Sequence, residues 1–314
     1  MDLNCVKKGQ HDPQGLWLFT LVKNEEYFLP FFLNHYKKLG VSNFVIYDDH
    51  STDKTRDILE RESSCTVLQS KYTFGQKLKV GNSIIAFNDL LKNNIHTAFF
   101  PSSWGIYVDC DEFMVLPKSV NSLQELIQTL ESEKQYQVFA PMVDFYPEKL
   151  ALRNYDRTLS PFEGCSYFDK GPIFKWSEEY NRALTVSGIR FRLKTLLREK
   201  FPQEFSKING GKMFNGSSVK IPLIKHGNGI LRQGAHYTNT VPSFDNQVAL
   251  AHFKFYPDFD SKLNEALVNC QYYGASVEYR FLNLFIEKHE NESLWCKESV
   301  KFSDANDFSK ASIW

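Results

Sequence analysis

The sequence predicts an α/β chain: an open, mostly parallel sheet with helices on both faces, followed by a less regular half. Three observations carry that expectation. Short apolar runs alternate with helix-length amphipathic segments as far as residue 145. Two acidic clusters, at 48–53 and 109–112, each follow an apolar run, which is where such a sheet binds its ligands. The composition, 42% hydrophobic and 24% charged over 314 residues, is that of a globular protein able to bury a sizeable core.

Residues 1–14 are polar and read as a loose lead-in. Leu16 to Val22 reads as a buried strand. Tyr27 to Leu39 has helical spacing, with Pro30 near its start and Gly40 just after its end. Phe44 to Tyr47 is a second strand. It runs into Asp48-Asp49-His50-Ser51-Thr52-Asp53, where Ser51, Thr52 or Asp53 can cap a helix over Lys54 to Glu62. Thr66 to Leu68 is a third strand. Gln76 to Lys92 reads as one amphipathic helix, with Leu78, Ile84, Ile85, Leu90 and Leu91 among its apolar positions. Ile106 to Val108 is a fourth strand, ending at Asp109; a helix over Ser122 to Ser132 and a strand over Gln137 to Met142 follow. From 147 to 250 the Gly, Pro, Asn and Arg content predicts loops, short strands and a hairpin, and helical patterning returns from Ser261 to His289. The expected organisation is a lead-in (1–14), a first half (15–145) and a second half (146–314) within one compact domain.

The formal net charge is zero, which gives no electrostatic case for nucleic acid. The six cysteines form no CxxC pair, so a structural zinc site is not expected. There is no charged-then-apolar leader and no apolar run near the roughly 20 residues of a membrane span. The expectation is a soluble, cytoplasmic protein. Aromatics reach 15%, a surplus that suits stacking on sugars and bases although most such rings fill cores.

The most informative stretch is Trp104-Gly-Ile-Tyr-Val-Asp109-Cys-Asp111-Glu112-Phe113. An apolar strand delivers two carboxylates one residue apart, then a third acid. Such a pair makes a hard oxygen site for Mg2+ or Mn2+, ions that keep positions open for phosphate oxygens. Acids at a strand end also serve as solvated groups or helix caps, and Asp-x-Asp alone recurs by chance. A carboxylate at the end of the second strand, Asp48 or Asp49, can accept the N3–H of a uracil ring, or can belong to a helix cap. Lys23, Asn24 and Glu25 after the first strand can line a nucleotide pocket, or begin a helix with acids in its first turn.

Lys23-Asn-Glu-Glu, Tyr47-Asp-Asp-His-Ser-Thr-Asp-Lys-Thr and Tyr107-Val-Asp-Cys-Asp-Glu-Phe together resemble the GT-A fold glycosyltransferases, in particular the family 2-like bacterial set with a Val-Asp-x-Asp-Glu-Phe strand motif. Asp144-Phe-Tyr-Pro, Tyr167-Phe-Asp169, Lys220-Ile-Pro-Leu-Ile-Lys225, Gly234-Ala-His236-Tyr237 and Leu250-Ala-His252-Phe-Lys254-Phe extend the resemblance across roughly residues 16–285. It implies a Rossmann-like nucleotide-sugar-binding half and an irregular acceptor-binding half. Asp109 and Asp111 would hold Mn2+ or Mg2+ and the donor diphosphate, and Asp49 the base. His252, then His236, would complete the metal shell, each weighed against a core histidine. Lys254 would sit on a donor phosphate or be a surface lysine. Gly210-Gly211-Lys212-Met213 departs from the Gly-Gly-Pro-Arg common in that set, which leaves the acceptor open.

The implied activity is metal-dependent, inverting transfer from a UDP-sugar to a glycan or lipid-linked acceptor, in bacterial surface polysaccharide synthesis. Inversion needs a carboxylate base, and Asp144, Glu163 and Asp169 are the candidates, each also readable as a loop or capping acid. Glu112 is expected to orient the metal pair. The basic stretch Arg190, Arg192, Lys194, Arg198, Lys200 can touch anionic lipid at the inner face of a membrane, or form a solvated amphipathic face. Two rivals remain. A sugar nucleotidyltransferase would show a Gly-rich loop after the first strand, which is absent. A glycan-binding protein on a transferase scaffold would not need the intact Asp-x-Asp pair.

Overall fold

The structure, a computed structural model, describes residues 3–213, 217–270, 272–289 and 291–314. In chain order its strands and helices begin with β1 (Asn4–Lys7), β2 (Leu16–Val22), α1 (Phe28–Lys38), β3 (Val41–Asp48), α2 (Thr55–Arg61) and β4 (Cys65–Gln69). Next come β5 (Lys77–Val80), β6 (Ser83–Ala86), α3 (Phe87–Asn94), α4 (His96–Phe99), β7 (Trp104–Tyr107), β8 (Glu112–Val115), α5 (Leu123–Ser132) and β9 (Gln137–Phe145). The middle holds α6 (Pro161–Gly164), β10 (Tyr167–Asp169), β11 (Phe174–Ser177), β12 (Arg182–Thr185), α7 (Ile189–Lys200), α8 (Pro202–Lys207) and β13 (Val219–Lys225). The chain ends with β14 (Arg232–Gln233), β15 (Tyr237–Thr238), β16 (Ala249–Phe253), α9 (Phe259–Asn269), α10 (Tyr273–His289), β17 (Ser299–Lys301) and α11 (Asn306–Lys310). The elements fall into two compact units, one of residues 1–140 and 220–248, the other of 141–219 and 249–314.

In the first unit a mixed sheet runs β1-β4-β3-β2-β7-β13. The four central strands pair in parallel, and β1 and β13 flank them antiparallel. Parallel strands covered on both faces read as unbroken apolar runs, as β2 and β3 do. Trp17, Phe19, Val45, Tyr47 and Tyr107 share one face and pack with Phe87, Leu91 and Ile95 around α3. Leu18, Phe44, Ile46 and Ile106 alternate with them and are equally buried, and α1 packs against β3 and β8. Tyr36 of α1 fixes β8 through two bonds: its hydroxyl donates to Glu112 O (3.0 Å) and accepts Met114 N–H (3.1 Å).

Two expectations fail in this unit. The lead-in is ordered: β1 pairs with β4, and Lys7 Nζ donates to the Leu59 and Glu62 carbonyls at the end of α2, at 2.6 and 2.5 Å. The helix expected over 76–92 is a hairpin, β5–β6, followed by a short α3. Lys77-Leu-Lys-Val alternates with the period of a strand, and Gly81 takes the φ of +57° that its turn requires.

In the second unit, β16 pairs in parallel with the end of β9, placing His252 beside Asp144. β10 and β17 form an antiparallel pair, and β11–β12 a hairpin. Much of the aromatic surplus is spent here on packing. Phe145 lies 5.1–5.4 Å from the rings of Phe162, Phe253 and Phe302, and Phe168 lies 4.9 Å from Phe308. The helix α7 was not foreseen. Within α10 the residues Gly274, Ala275 and Ser276 take left-handed φ values, so the regular helix starts after them.

Candidate functional site

The carboxyl ends of β2 and β3 carry two loops that are laced together. Asn24, at φ +54°, donates its N–H to Ser51 Oγ (3.0 Å), and its Oδ1 accepts Thr52 N–H (2.8 Å). Glu25 N–H donates to Thr55 Oγ1 (2.8 Å) and Glu26 N–H to Asp53 Oδ2 (3.0 Å), while Glu26 Oε2 accepts Lys54 N–H (3.0 Å). Asp53 also accepts Thr55 N–H (2.9 Å) at the start of α2, so it serves the cap as well as the lacing.

The two aspartates that end β3 differ. Asp48 is fully buried and accepts Ser51 N–H (3.0 Å) and Gln69 Nε2 (2.7 Å). It holds the turn through these two donors. Asp49 accepts Phe74 N–H on both oxygens (3.1 and 3.2 Å). Burial raises its pKa, against the Phe74 hydrogen bond and the charge of Lys23, which lower it.

Asp109 stands two residues beyond β7, at the same end of the parallel strands as Asp48 and Asp49. It is clamped between two lysines. Lys92 Nζ lies 2.8 Å from Oδ1 and Lys220 Nζ 2.7 Å from Oδ2. Lys220 also reaches Glu112 at 2.6 Å, and Glu112 Oε2 accepts Asp109 N–H (2.8 Å). Both lysine side chains are buried, while that of Asp109 is 39% exposed. Burial alone would raise the Asp109 pKa; the two ammonium groups outweigh it and hold the carboxyl well below the usual range. Asp111 is half-buried in the loop that follows.

These carboxylates fit a hard divalent cation in donor type. Asp109, however, reaches such an ion only by sharing or surrendering an oxygen that now holds a lysine. Lys92 and Lys220 were not foreseen as site residues. Their partners are distant in sequence, Lys220 being 111 residues from Asp109.

His236 is half-buried in the turn between β14 and β15, 6.4 Å from the ring of Tyr237. The remaining candidates lie in the second unit. Asp144 is bound by Arg190 Nε (2.7 Å) and His252 Nδ1 (2.5 Å). Burial raises its pKa, but Arg190 and His252 prevail and hold it below the usual carboxylate range. An ionised carboxylate only accepts, so His252 Nδ1 carries the proton and a neutral ring keeps its lone pair on Nε2. Asp169 accepts the Tyr146 hydroxyl and Arg192 Nη2 (3.1 Å) and Nε (3.2 Å). Glu163 closes a capping box with Ser160 at the start of α6, and those hydrogen bonds lower its pKa. Of the three acids, Asp144 and Asp169 are ion-paired and Glu163 is a cap. Lys254 follows β16 and is half-buried.

Part of the basic stretch is ion-paired. Arg190 pairs with Asp144, Arg192 with Asp169 and Lys194 with Glu278 (2.8 Å), so the first half of α7 turns its charge to acids of the second unit. Arg198 and Lys200 are exposed. Among the described residues no helix is long and apolar enough to cross a membrane.

Residues 20–162 match the sequence model of glycosyltransferase family 92. They carry a glycosyltransferase sequence. A comparison with curated proteins returned no match. Among solved structures, residues 1–349 of S. aureus TarS in complex with UDP are similar at a TM-score of 0.30 and 16% identity, over 42% of this chain and 36% of that one. The chain thus spans about a third of that neighbour's length.

Proposed function

We propose that this chain is a glycosyltransferase of GT-A type that takes a sugar from a UDP-sugar and passes it to a glycan or lipid-linked acceptor. The observation that carries the reading is the coincidence of a glycosyltransferase sequence over 20–162 with two acidic clusters at one end of its parallel strands. Asp49 would read the base: its carboxylate, held by Phe74 N–H, keeps lone pairs for a uracil N3–H. The laced loops 23–26 and 51–55 would shape the nucleotide pocket before a ligand arrives.

The diphosphate would lie at Asp109, Asp111, Lys92 and Lys220. Asp111, and Asp109 once a lysine yields, would hold Mn2+ or Mg2+, which would supply neutralisation of the leaving diphosphate. His252 has the arrangement of many metal-binding histidines, with its other ring nitrogen fixed on a carboxylate. Inversion of the sugar would need a carboxylate base, for which Asp144, Asp169 and Glu163 are the candidates, each of which would first have to give up its present partner. A place in bacterial surface polysaccharide synthesis is the pathway the motifs suggest.

The test is slow hydrolysis of a panel of nucleotide sugars with Mn2+, with EDTA, and with Asp111→Ala. Turnover of one donor that is lost in EDTA and in the variant supports the reading. Folded protein that neither turns over nor binds any donor refutes it and favours a glycan-binding protein.

A further inference from the structure

The clamp on Asp109 is asymmetric. Lys220 is 3% exposed in its side chain and contacts two acids, Asp109 at 2.7 Å and Glu112 at 2.6 Å. Lys92 holds one: among the described residues its Nζ, which has three donor hydrogens, is bonded to Asp109 Oδ1 alone, at 2.8 Å. Lys220 is therefore an anchor. Lys92, whose side chain is 8% exposed, is a compact charge with a single tether. Its partner is the more open group, since the Asp109 carboxylate is 39% exposed.

Asp109, Glu112, Lys92 and Lys220 are together neutral. A divalent cation placed on Asp109 Oδ1 would meet an ammonium in the same position, and two like charges at contact repel strongly in a partly desolvated site. A diphosphate arriving with the ion brings the negative charge that would give that ammonium a new partner.

We propose that Lys92 is an exchangeable counter-ion. It holds Asp109 Oδ1 at 2.8 Å, and it would turn to the donor diphosphate if that oxygen were to hold a divalent cation. Lys92 is thus a positioning residue that lowers the affinity for metal alone and raises the affinity for metal and nucleotide together. The inference rests on the donor-binding reading above and adds a role for a residue on α3.

The test is binding rather than turnover. Mn2+ affinity is measured by electron paramagnetic resonance, and UDP affinity in saturating Mn2+ by calorimetry, for the parent chain, Lys92→Met, Lys92→Gln and Lys92→Arg. Thermal melts establish folding, and having two neutral variants keeps the test intact if one folds poorly. The expected result for Lys92→Met or Lys92→Gln is about tenfold tighter Mn2+ and about tenfold weaker UDP, with Lys92→Arg close to the parent; tenfold is the scale of one charge-assisted contact. Shifts in the same direction, or no shift, overturn the proposal. Failure of the parent chain to bind Mn2+ and UDP overturns the donor-binding reading itself, which separates the two.

Discussion

Replacing Arg190 with methionine tests whether Asp144 is a clamped ion or a proton acceptor. The pair is buried: the side chains of Arg190 and Asp144 are 13% and 10% exposed, with Nε 2.7 Å from Oδ2. Removing one partner of a buried pair leaves an uncompensated charge and costs about 3–5 kcal/mol. His252 stays bonded to the other oxygen and can carry part of the charge, so the low end applies, about 3 kcal/mol. At roughly 2–4 °C per kcal/mol the melting temperature should fall by about 10 °C. The double variant Arg190→Met/Asp144→Asn removes the stranded charge and should recover at least about 1 kcal/mol. Urea and thermal unfolding followed by circular dichroism measure both. A loss below about 1 kcal/mol would put the pair in the class of exposed ion pairs, and a double variant no more stable than the single would show that no charge was stranded; either refutes the reasoning.

Three further outcomes are expected. Burial lowers His226 to about 3 and His35 to about 4, both below the unfolded value, so their contribution is present above about pH 6.5 and is lost as pH falls; each costs about 2 kcal/mol between pH 7 and pH 5, and His226→Gln should narrow the gap between melts at those two values. Asp49→Asn keeps an oxygen for Phe74 N–H but turns an NH2 donor toward the base, so UDP should bind at least about tenfold more weakly than to the parent by calorimetry; equal affinity would remove Asp49 from the base site. Gly105→Ala would bring a Cβ to 2.3 Å from the Phe100 ring in the core beside β7, and the overpacking should cost about 1–3 kcal/mol in a thermal melt.

The central sheet was legible because buried parallel strands are apolar runs, and α5 because Ser122 caps it by accepting Glu125 N–H at 3.1 Å. The misreadings have physical causes. An edge strand such as β1 needs no apolar face, and Asn4-Cys-Val-Lys shows none of the required periodicity. Leu78, Ile84 and Ile85 satisfy helical spacing by coincidence; the alternation around them and Gly81 carried the better signal. In α7, basic residues at 190, 192 and 194 alternate with Phe191 and Leu193, which hides a helix whose charges meet acids distant in sequence. At the site, the strand delivered Asp109 and Asp111 in plain view. The lysines facing Asp109 are set by tertiary structure, and no local pattern marks them.

The first unit is assembled from two stretches, 1–140 and 220–248, separated by chain that belongs to the second. During synthesis the acid pair Asp109 and Glu112 leaves the ribosome more than a hundred residues ahead of Lys220. Glu112, which ends 1% exposed, receives Lys220 only when β13 arrives, so β7 cannot complete its surroundings in order of emergence. A fragment cut to the glycosyltransferase segment at 20–162 inherits the same deficit permanently. Premature termination before the end of β13 at Lys225 therefore removes a strand from the first unit's sheet, however far downstream the lost codons lie.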